Sequence, residues 1–154
     1  MAEKGDDGAA FDELLGARLG YLLKHAQLRL AESAGPALAR FGLDARELAV
    51  LVVLAAGPSL SQLEAARRLG VDRTTMVALI DALEGKGLVE RRRSEDDRRR
   101  NVVELTERGR RVRADAEDAR EAAEREFLAP LGEQDAAGLV KALRVLVTGI
   151  RNGC

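Results

Sequence analysis

The pattern of residues 61–85 predicts two short helices separated by a tight turn. Ser61 and Glu64 have the Ser-x-x-Glu spacing of a capping box, and the helix that they open is expected to stop at Gly70. Asp72 then occupies an N-cap position before "RTTMVALIDALEGK", whose apolar residues keep helical spacing. Two helices around the turn "LGVD" predict a helix-turn-helix, with a plain helical hairpin as the alternative.

The segment that follows alternates like a two-stranded hairpin. "LVERRR" has the pattern of one strand, "SEDDRR" is rich in turn-forming residues, and "NVVELT" has the pattern of the return strand. A basic β-hairpin directly after a helix-turn-helix is a wing, whose tip can insert an arginine into the minor groove of DNA. The hairpin therefore favours a winged helix over a plain helical hairpin.

Charge is unevenly distributed along the chain, although the net charge is only −1. Residues 86–113 contain eleven basic and six acidic side chains, whereas residues 114–135 contain eight acidic and two basic ones. This division predicts one basic face that meets a polyanion and an acidic remainder kept away from it.

Composition argues against several other classes of protein. At 154 residues, 46% of them hydrophobic, the chain is expected to form one globular domain or two small units that share a core. No apolar run reaches the ~18 residues that a membrane helix needs, and the N-terminus is acidic, so we expect a cytoplasmic protein with no membrane partner. With Cys154 and His25 as the one cysteine and the one histidine, neither a disulfide nor a zinc site is expected. No catalytic group set or cofactor motif is found, which predicts a protein that is not an enzyme and needs no cofactor.

The N-terminal segment predicts a long amphipathic helix. Its apolar residues recur at three- and four-residue intervals, and Gly35-Pro36 is expected to end it after roughly five turns. A buried helix follows, with Asp44 and Glu47 as its capping box and Gly57-Pro58 at its end. The members of the first apolar stripe are Phe11, Leu14, Leu15, Leu19, Leu22, Leu23, Ala26 and Leu30.

The C-terminal third predicts two further helices. A long charged helix begins at Thr106 and has a narrow apolar seam, and the last helix has a broader apolar stripe. Since the stripes of the first and last helices are too apolar to face water, we expect them to pack on a second copy of the chain. A two-fold dimer would place its recognition helices about one DNA turn apart, ~34 Å, and predicts a pseudo-palindromic operator. The seam is Val112, Ala116, Ala119, Ala123 and Phe127, and the stripe is Leu139, Leu143, Leu146, Val147 and Ile150.

Residues 61–109 resemble the winged-helix core of the MarR family of bacterial transcriptional regulators. The wing signature of that family, Asp-x-Arg followed after five residues by Leu-Thr, is met by Asp97, Arg99, Leu105 and Thr106, and the flanking "GLVER" and "LTERG" also fit. The resemblance implies a mainly α fold, in which a winged helix-turn-helix is joined to a helical dimerisation lobe formed by the N- and C-terminal helices. It also implies a homodimer that binds double-stranded DNA, most often as a repressor.

Three segments are expected on this basis. Residues 1–35 would form the N-terminal tail and the first dimerisation helix, and residues 36–105 the winged helix-turn-helix domain. Residues 106–154 would form the long connecting helix and the C-terminal dimerisation helix.

Two groups of helical residues are candidates for DNA contact. Arg73, Thr74 and Thr75 begin the recognition helix, where arginine can read guanine and threonine can meet thymine or phosphate. Ser61 and Gln62 begin the preceding helix and are expected to contact phosphate.

The wing supplies the third group. The resemblance implies that Arg98 or Arg99 at the tip, next to Arg100, enters the minor groove and that Asp97 holds the arginine through a charge-assisted bond. Many relatives have Thr-Arg where this chain has Val77-Ala78, so these two positions donate no hydrogen bond to a base. We therefore expect DNA shape to contribute to sequence preference.

A ligand site is a further hypothesis, because the family often binds small aromatic or phenolic anions. Arg18, Tyr21 and His25 fall at i, i+3 and i+7 along one edge of the first helix, where they could bind an anionic ring. Ordinary salt links or hydrogen bonds at a helix interface are the favoured interpretation of this trio. A redox role for Cys154 is not expected, because its one nearby cation is Arg151.

A second class of function stays open, namely a winged-helix module that binds proteins without specific DNA binding. Such a module predicts little salt dependence of binding. A DNA reader should instead lose affinity with a log-log slope on the order of −5 to −9 as salt increases.

Overall fold

The computed structural model describes residues 13–57, 59–99 and 101–151 of the chain. Its helices are α1 (Leu19–Ala39), α2 (Ala45–Ala55), α3 (Gln62–Leu69), α4 (Arg73–Gly85), α5 (Glu107–Leu128) and α6 (Gly132–Arg151), with a 3-10 turn at Ala129–Leu131. Strands β1 (Val89–Arg93) and β2 (Asn101–Leu105) form an antiparallel pair between α4 and α5. The predicted mainly α fold with a small hairpin wing is confirmed. None of the helices within the described ranges is long and apolar enough to cross a membrane.

The chain divides into two compact units. One is Ala34–Ala122, which contains the helix-turn-helix and the hairpin, and the other combines residues up to Ser33 with residues from Ala123 onward. The core of the first unit is aliphatic, with Leu51, Met76, Ile80 and Leu83 fully buried between α2, α4 and the hairpin. Burial of these side chains at helical spacing is what holds the short helices in place, since helices of this length are marginal in isolation.

The predicted caps are present at all three helix starts. Asp44 Oδ1 accepts from the N–H of Glu47 at 2.8 Å, and Glu47 Oε2 accepts from the N–H of Asp44 at 2.9 Å. Ser61 and Glu64 form the same reciprocal pair at the start of α3. Gly70 ends α3 with φ of 67°, a left-handed conformation that glycine adopts without a steric penalty, and this turns the chain into α4.

The two strands of the wing pair with each other, and β2 also pairs with the segment before α3. Val89 lies opposite Leu105 and Arg93 opposite Asn101 in the hairpin. The N–H of Val103 donates to the carbonyl of Leu60 at 2.9 Å, so the segment before α3 pairs with the outer edge of β2. A backbone hydrogen bond therefore joins the wing to the segment that leads into α3.

Two expectations about the first helix are wrong. Helix α1 passes through Gly35-Pro36 and ends at Ala39, because Gly35 has no Cβ to clash with the proline ring and Leu38 beyond it is buried in the core. The helix is also interrupted at its start: residues 13–16 are helical, residues 17–18 are not, and α1 begins at Leu19. Gly16 weakens the helix at this point, and Arg18 uses its carbonyl to accept from the N–H of Leu22. Phe11 lies outside the described residues.

The stripes expected to meet a second copy are exposed in the single chain. Leu19 on α1 is 65% exposed, and Val147 on α6 is 63% exposed. The stripe residues Leu14, Leu22, Leu23, Leu139 and Leu146 are exposed as well, and so are their neighbours Leu28, Val140 and Val145. Large apolar side chains left in water at this density favour a partner surface.

Helix α5 begins against the backbone of the wing. Thr106 Oγ1 donates to the carbonyl of Gly87 at 2.7 Å and accepts from the N–H of Gly109 at 3.0 Å. At Gly109, an added Cβ would lie 1.9 Å from the carbonyl oxygen of Leu88. Since the obstructing atom is backbone, only glycine fits at this position.

Gly109→Ala is therefore expected to reduce the free energy of unfolding by about 1–3 kcal/mol or more, because the backbone at Leu88 must shift. Urea unfolding followed by circular dichroism measures the change. Gly85→Ala is the matched control, since the space around Gly85 is open and alanine favours a helix. Equal unfolding free energies for the two variants would contradict the close approach.

Candidate nucleic-acid interface

The start of α4 presents two of its three predicted base readers to solvent. Arg73 and Thr74 are exposed, and Thr75 is half-buried. Thr75 Oγ1 donates to Asp72 Oδ2 at 2.6 Å, while the N–H of Thr75 donates to Asp72 Oδ1 at 2.8 Å. The hydroxyl proton of Thr75 is thus engaged, which leaves its methyl group and its oxygen lone pairs for a base.

Asp72 is an ionised cap. The side-chain hydrogen bond from Thr75, followed by the backbone hydrogen bond from Thr75, holds the pKa of the Asp72 carboxyl below its usual value. A carboxylate at a helix N-terminus also interacts favourably with the helix dipole. Asp72 therefore stabilises the end of α4 that carries Arg73 and Thr74.

The side chains at the start of α3 make more hydrogen bonds within the protein than the sequence predicts. Ser61 Oγ accepts from the N–H of Glu64 at 3.3 Å and donates to Glu64 Oε2 at 2.6 Å. The Gln62 side-chain oxygen, with its amide oriented so that both of its groups are satisfied, accepts from Arg91 Nε at 2.8 Å and from Arg91 Nη2 at 3.3 Å. Both predicted phosphate contacts therefore also take part in bonds within the protein.

The α3, α4 and wing residues meet at one cleft. The cleft has a volume of about 380 Å³. Its lining residues are Ser61, Gln62, Leu63, Arg73, Arg91 and Asn101. The structure thus brings the α3 candidates Ser61 and Gln62 together with Arg73 and the strands of the wing.

The wing tip is a turn that Asp97 holds in shape. Asp97 Oδ1 accepts from the backbone N–H of Arg99 at 3.0 Å, and the N–H of Asp97 donates to Ser94 Oγ at 3.3 Å. The side chains of Arg98 and Arg99 are exposed. The bond described for Asp97 thus orders the backbone that carries Arg99, whereas the expectation was a bond to the arginine side chain. Arg100 lies outside the described residues.

Arg91 is a functional candidate that the sequence interpretation missed. Its guanidinium contacts both Asp81 and Glu84 of α4, and its backbone N–H donates to Glu84 Oε1 at 3.3 Å. Burial lowers the pKa of Arg91, but the bonds to Asp81 and the charge of Glu84 raise it more, and the net direction is upward. The signal in the sequence was the i, i+3 spacing of Asp81 and Glu84, which places both carboxylates on one face of α4.

The three candidate ligand residues are only partly brought together. The Tyr21 and His25 rings lie 4.0 Å apart between centroids at an interplanar angle of 34°. Arg18 is exposed and lies immediately before α1, where its carbonyl accepts the first helical hydrogen bond. The structure therefore shows an aromatic pair at the start of α1 with a cation one turn before it.

Comparison with known proteins gives consistent results. The MarR family model matches residues 41–100. CouR, a transcriptional repressor solved bound to a 23-mer DNA duplex, is 37% identical with a TM-score of 0.80, over 86% of this chain and 94% of CouR. CouR from Rhodococcus jostii RHA1 solved with p-coumaroyl-CoA is 30% identical with a TM-score of 0.79, over 91% of this chain and 96% of that one.

The chain belongs to the MarR family of transcriptional regulators. A protein of Thauera aromatica described as a transcriptional regulatory protein for the hcr operon is 35% identical over 63% of this chain. The match spans 58% of the length of that Thauera protein. Family membership confirms the resemblance inferred from the wing signature.

The lowered pKa of Asp72 predicts a pH effect on stability. The carboxylate is bonded only in the folded protein, so its contribution is present above the unfolded pKa of about 3.9 and is lost as the pH falls through the lower folded pKa. Asp72→Asn keeps an N-cap oxygen without this titration. Wild type should thus lose stability relative to Asp72→Asn between pH 6 and pH 3 in urea unfolding, and a constant difference would contradict the cap's ionisation.

Proposed function

We propose that this MarR-family protein is a homodimeric, sequence-specific DNA-binding repressor and not an enzyme. The observation that carries the proposal is the pairing of an exposed, capped α4 start with an exposed arginine-bearing wing tip. Arg73 and Thr74 provide the major-groove reader, and Arg98 and Arg99 provide the minor-groove reader. The similarity to CouR, whose structure contains a DNA duplex, supports the proposal.

The homodimer rests on the exposed stripes of α1 and α6. A second copy would remove side chains such as Leu19, Leu146 and Val147 from water, which is favourable at roughly 25 cal/mol per Å² of apolar surface. Two-fold symmetry then requires a pseudo-palindromic operator with half-sites about one helical turn apart. The operator and the protein would meet in the cytoplasm.

The signal that ends repression is proposed to be a small aromatic ligand. The tilted Tyr21 and His25 rings, in contact with each other, provide an aromatic surface, and Arg18 one turn earlier provides a cation for an acidic group. CouR, which has this fold, was solved with p-coumaroyl-CoA bound. Since a ligand shifts an equilibrium only by its differential affinity, it must bind the DNA-free arrangement more tightly.

The test of the proposed function is a salt series on two DNA duplexes, the protein's own promoter region and a scrambled sequence of equal composition. We expect selective binding to the promoter, a palindromic footprint, and a log-log salt slope on the order of −5 to −9. Equal, weak binding to both duplexes would refute sequence-specific regulation and favour the protein-interaction alternative.

Single arginine variants test the two readers. Arg73→Ala should weaken operator binding by roughly 1–3 kcal/mol and relax the choice of base, because a bidentate base contact is lost. Arg99→Ala should weaken binding by a similar amount and reduce the salt slope by about 1, because a minor-groove cation is lost. Both are measured by fluorescence anisotropy on the operator and on single-base variants of it.

Arg46→Ala is the matched control for both variants. Arg46 is exposed in the first turn of α2, and the ion pair of the neighbouring Glu47 with Lys86 places that turn near the end of α4. The 13 residues of α4 separate that end from Arg73 by about 20 Å. An equal loss of operator affinity in Arg46→Ala would show that the effect is general charge removal.

The ligand proposal predicts that p-coumarate or its CoA thioester lowers operator affinity. The double variant Tyr21→Leu, His25→Leu should respond to at least ten times more ligand, since it lacks the aromatic surface. Anisotropy of preformed complexes, titrated with ligand, measures the release. The same release in wild type and in the double variant would exclude the Tyr21–His25 pair as the binding surface.

A further inference from the structure

We propose that Arg91 is a positioning residue for operator recognition, which couples the wing to both helices of the helix-turn-helix. The inference rests on the proposed function, since it concerns how the same DNA surface is held. Arg91 is in β1, yet its guanidinium contacts Asp81 and Glu84 on α4 and Gln62 on α3. One side chain thus joins the three elements that carry the DNA-contacting candidates.

All three nitrogens of the Arg91 guanidinium donate hydrogen bonds. Nη1 bonds Glu84, Nη2 bonds Asp81, and Nε bonds the Gln62 oxygen at 2.8 Å. These donors lie in one plane at fixed angles, so satisfying all of them fixes the position of β1 relative to α3 and α4. A lysine offers a single point charge and cannot make the same three contacts in fixed directions.

The charges show why Arg91 differs from the other wing arginines. Its side chain is 28% exposed and lies between two carboxylates, so its positive charge is offset before DNA arrives. Arg92, the next residue, is paired with Glu90 but has 60% of its side chain exposed. Removal of Arg91 should therefore change the geometry of the DNA surface with little change in the number of phosphates neutralised, because counterion release depends on cations that meet phosphate.

The experiment compares Arg91→Ala, Arg91→Lys and Asp81→Asn in the full chain. Operator and scrambled-duplex affinities are measured across a salt series, with the unfolding temperature of each variant recorded. The expected result is a fall in the operator-to-scrambled affinity ratio of about 10-fold in each variant, a size usual for residues in one bonded network. The salt slope of Arg91→Ala should stay within about 0.3 of wild type, whereas Arg92→Ala, the control on the same strand, should lower it by up to about 1 without changing the ratio.

Asp81→Asn separates positioning from simple electrostatics. Removing an acid next to DNA should raise affinity for every sequence, and removing a base should lower it. Positioning instead predicts that Arg91→Ala and Asp81→Asn reduce the affinity ratio in the same direction. If Arg91→Ala fails to fold, Arg91→Lys and Asp81→Asn carry the test.

Three results would overturn the inference. The first is an unchanged affinity ratio in folded Arg91→Lys and Asp81→Asn. The second is a salt slope of Arg91→Ala lowered by about 1 with the ratio unchanged, which would make Arg91 a phosphate contact. The third is a change of the ratio in opposite directions in Arg91→Ala and Asp81→Asn. A wild-type ratio near 1 would instead refute the proposed function itself. The failure of the two proposals is therefore distinguishable from the wild-type measurement alone.

Discussion

The close contact between Gly109 and the carbonyl of Leu88 determines where the wing ends and where α5 begins. An added Cβ would lie 1.9 Å from the Leu88 oxygen, so the two backbones approach too closely for any side chain at this position. Thr106 connects the same segments through its hydroxyl, which bonds both Gly87 and Gly109. The root of the hairpin is thereby fixed while its tip is exposed, and a preorganised root reduces the ordering entropy that DNA binding must overcome.

The residues at the helix starts serve the fold as well as the DNA surface. Asp72 occupies the Thr75 N–H at the start of α4, an N–H that could otherwise bind a phosphate. Ser61 does the same at the start of α3, because its hydroxyl is bonded to Glu64. Arg73 and Thr74 are therefore the side chains at the start of α4 that are most accessible to DNA. Few side chains of this helix are thus available to contact bases.

The number of arginines in the sequence overstates the positive charge along the strands of the wing, because several of them are paired with carboxylates. Arg91 is held by two carboxylates, and Arg92 pairs with Glu90 at 2.6 Å. The exposed arginines at the tip, Arg98 and Arg99, lie beyond these pairs, on a turn that Asp97 orders through the backbone of Arg99. The positive charge on the strands is thus partly offset by carboxylates, most fully at Arg91, whereas Arg98 and Arg99 at the tip are exposed.

Elements whose hydrogen bonds are local can be predicted from residue spacing. The Ser61–Glu64 box, the Asp72 cap, the Gly70 turn and the alternation of the hairpin are all set within a few residues, so spacing alone predicts them. Contacts between residues distant in the chain become visible only in the folded structure. Burial of Leu38 carries α1 past Pro36, and the three partners of Arg91 come from two other elements. Periodicity cannot show these contacts, because they arise only when the core brings separate segments together.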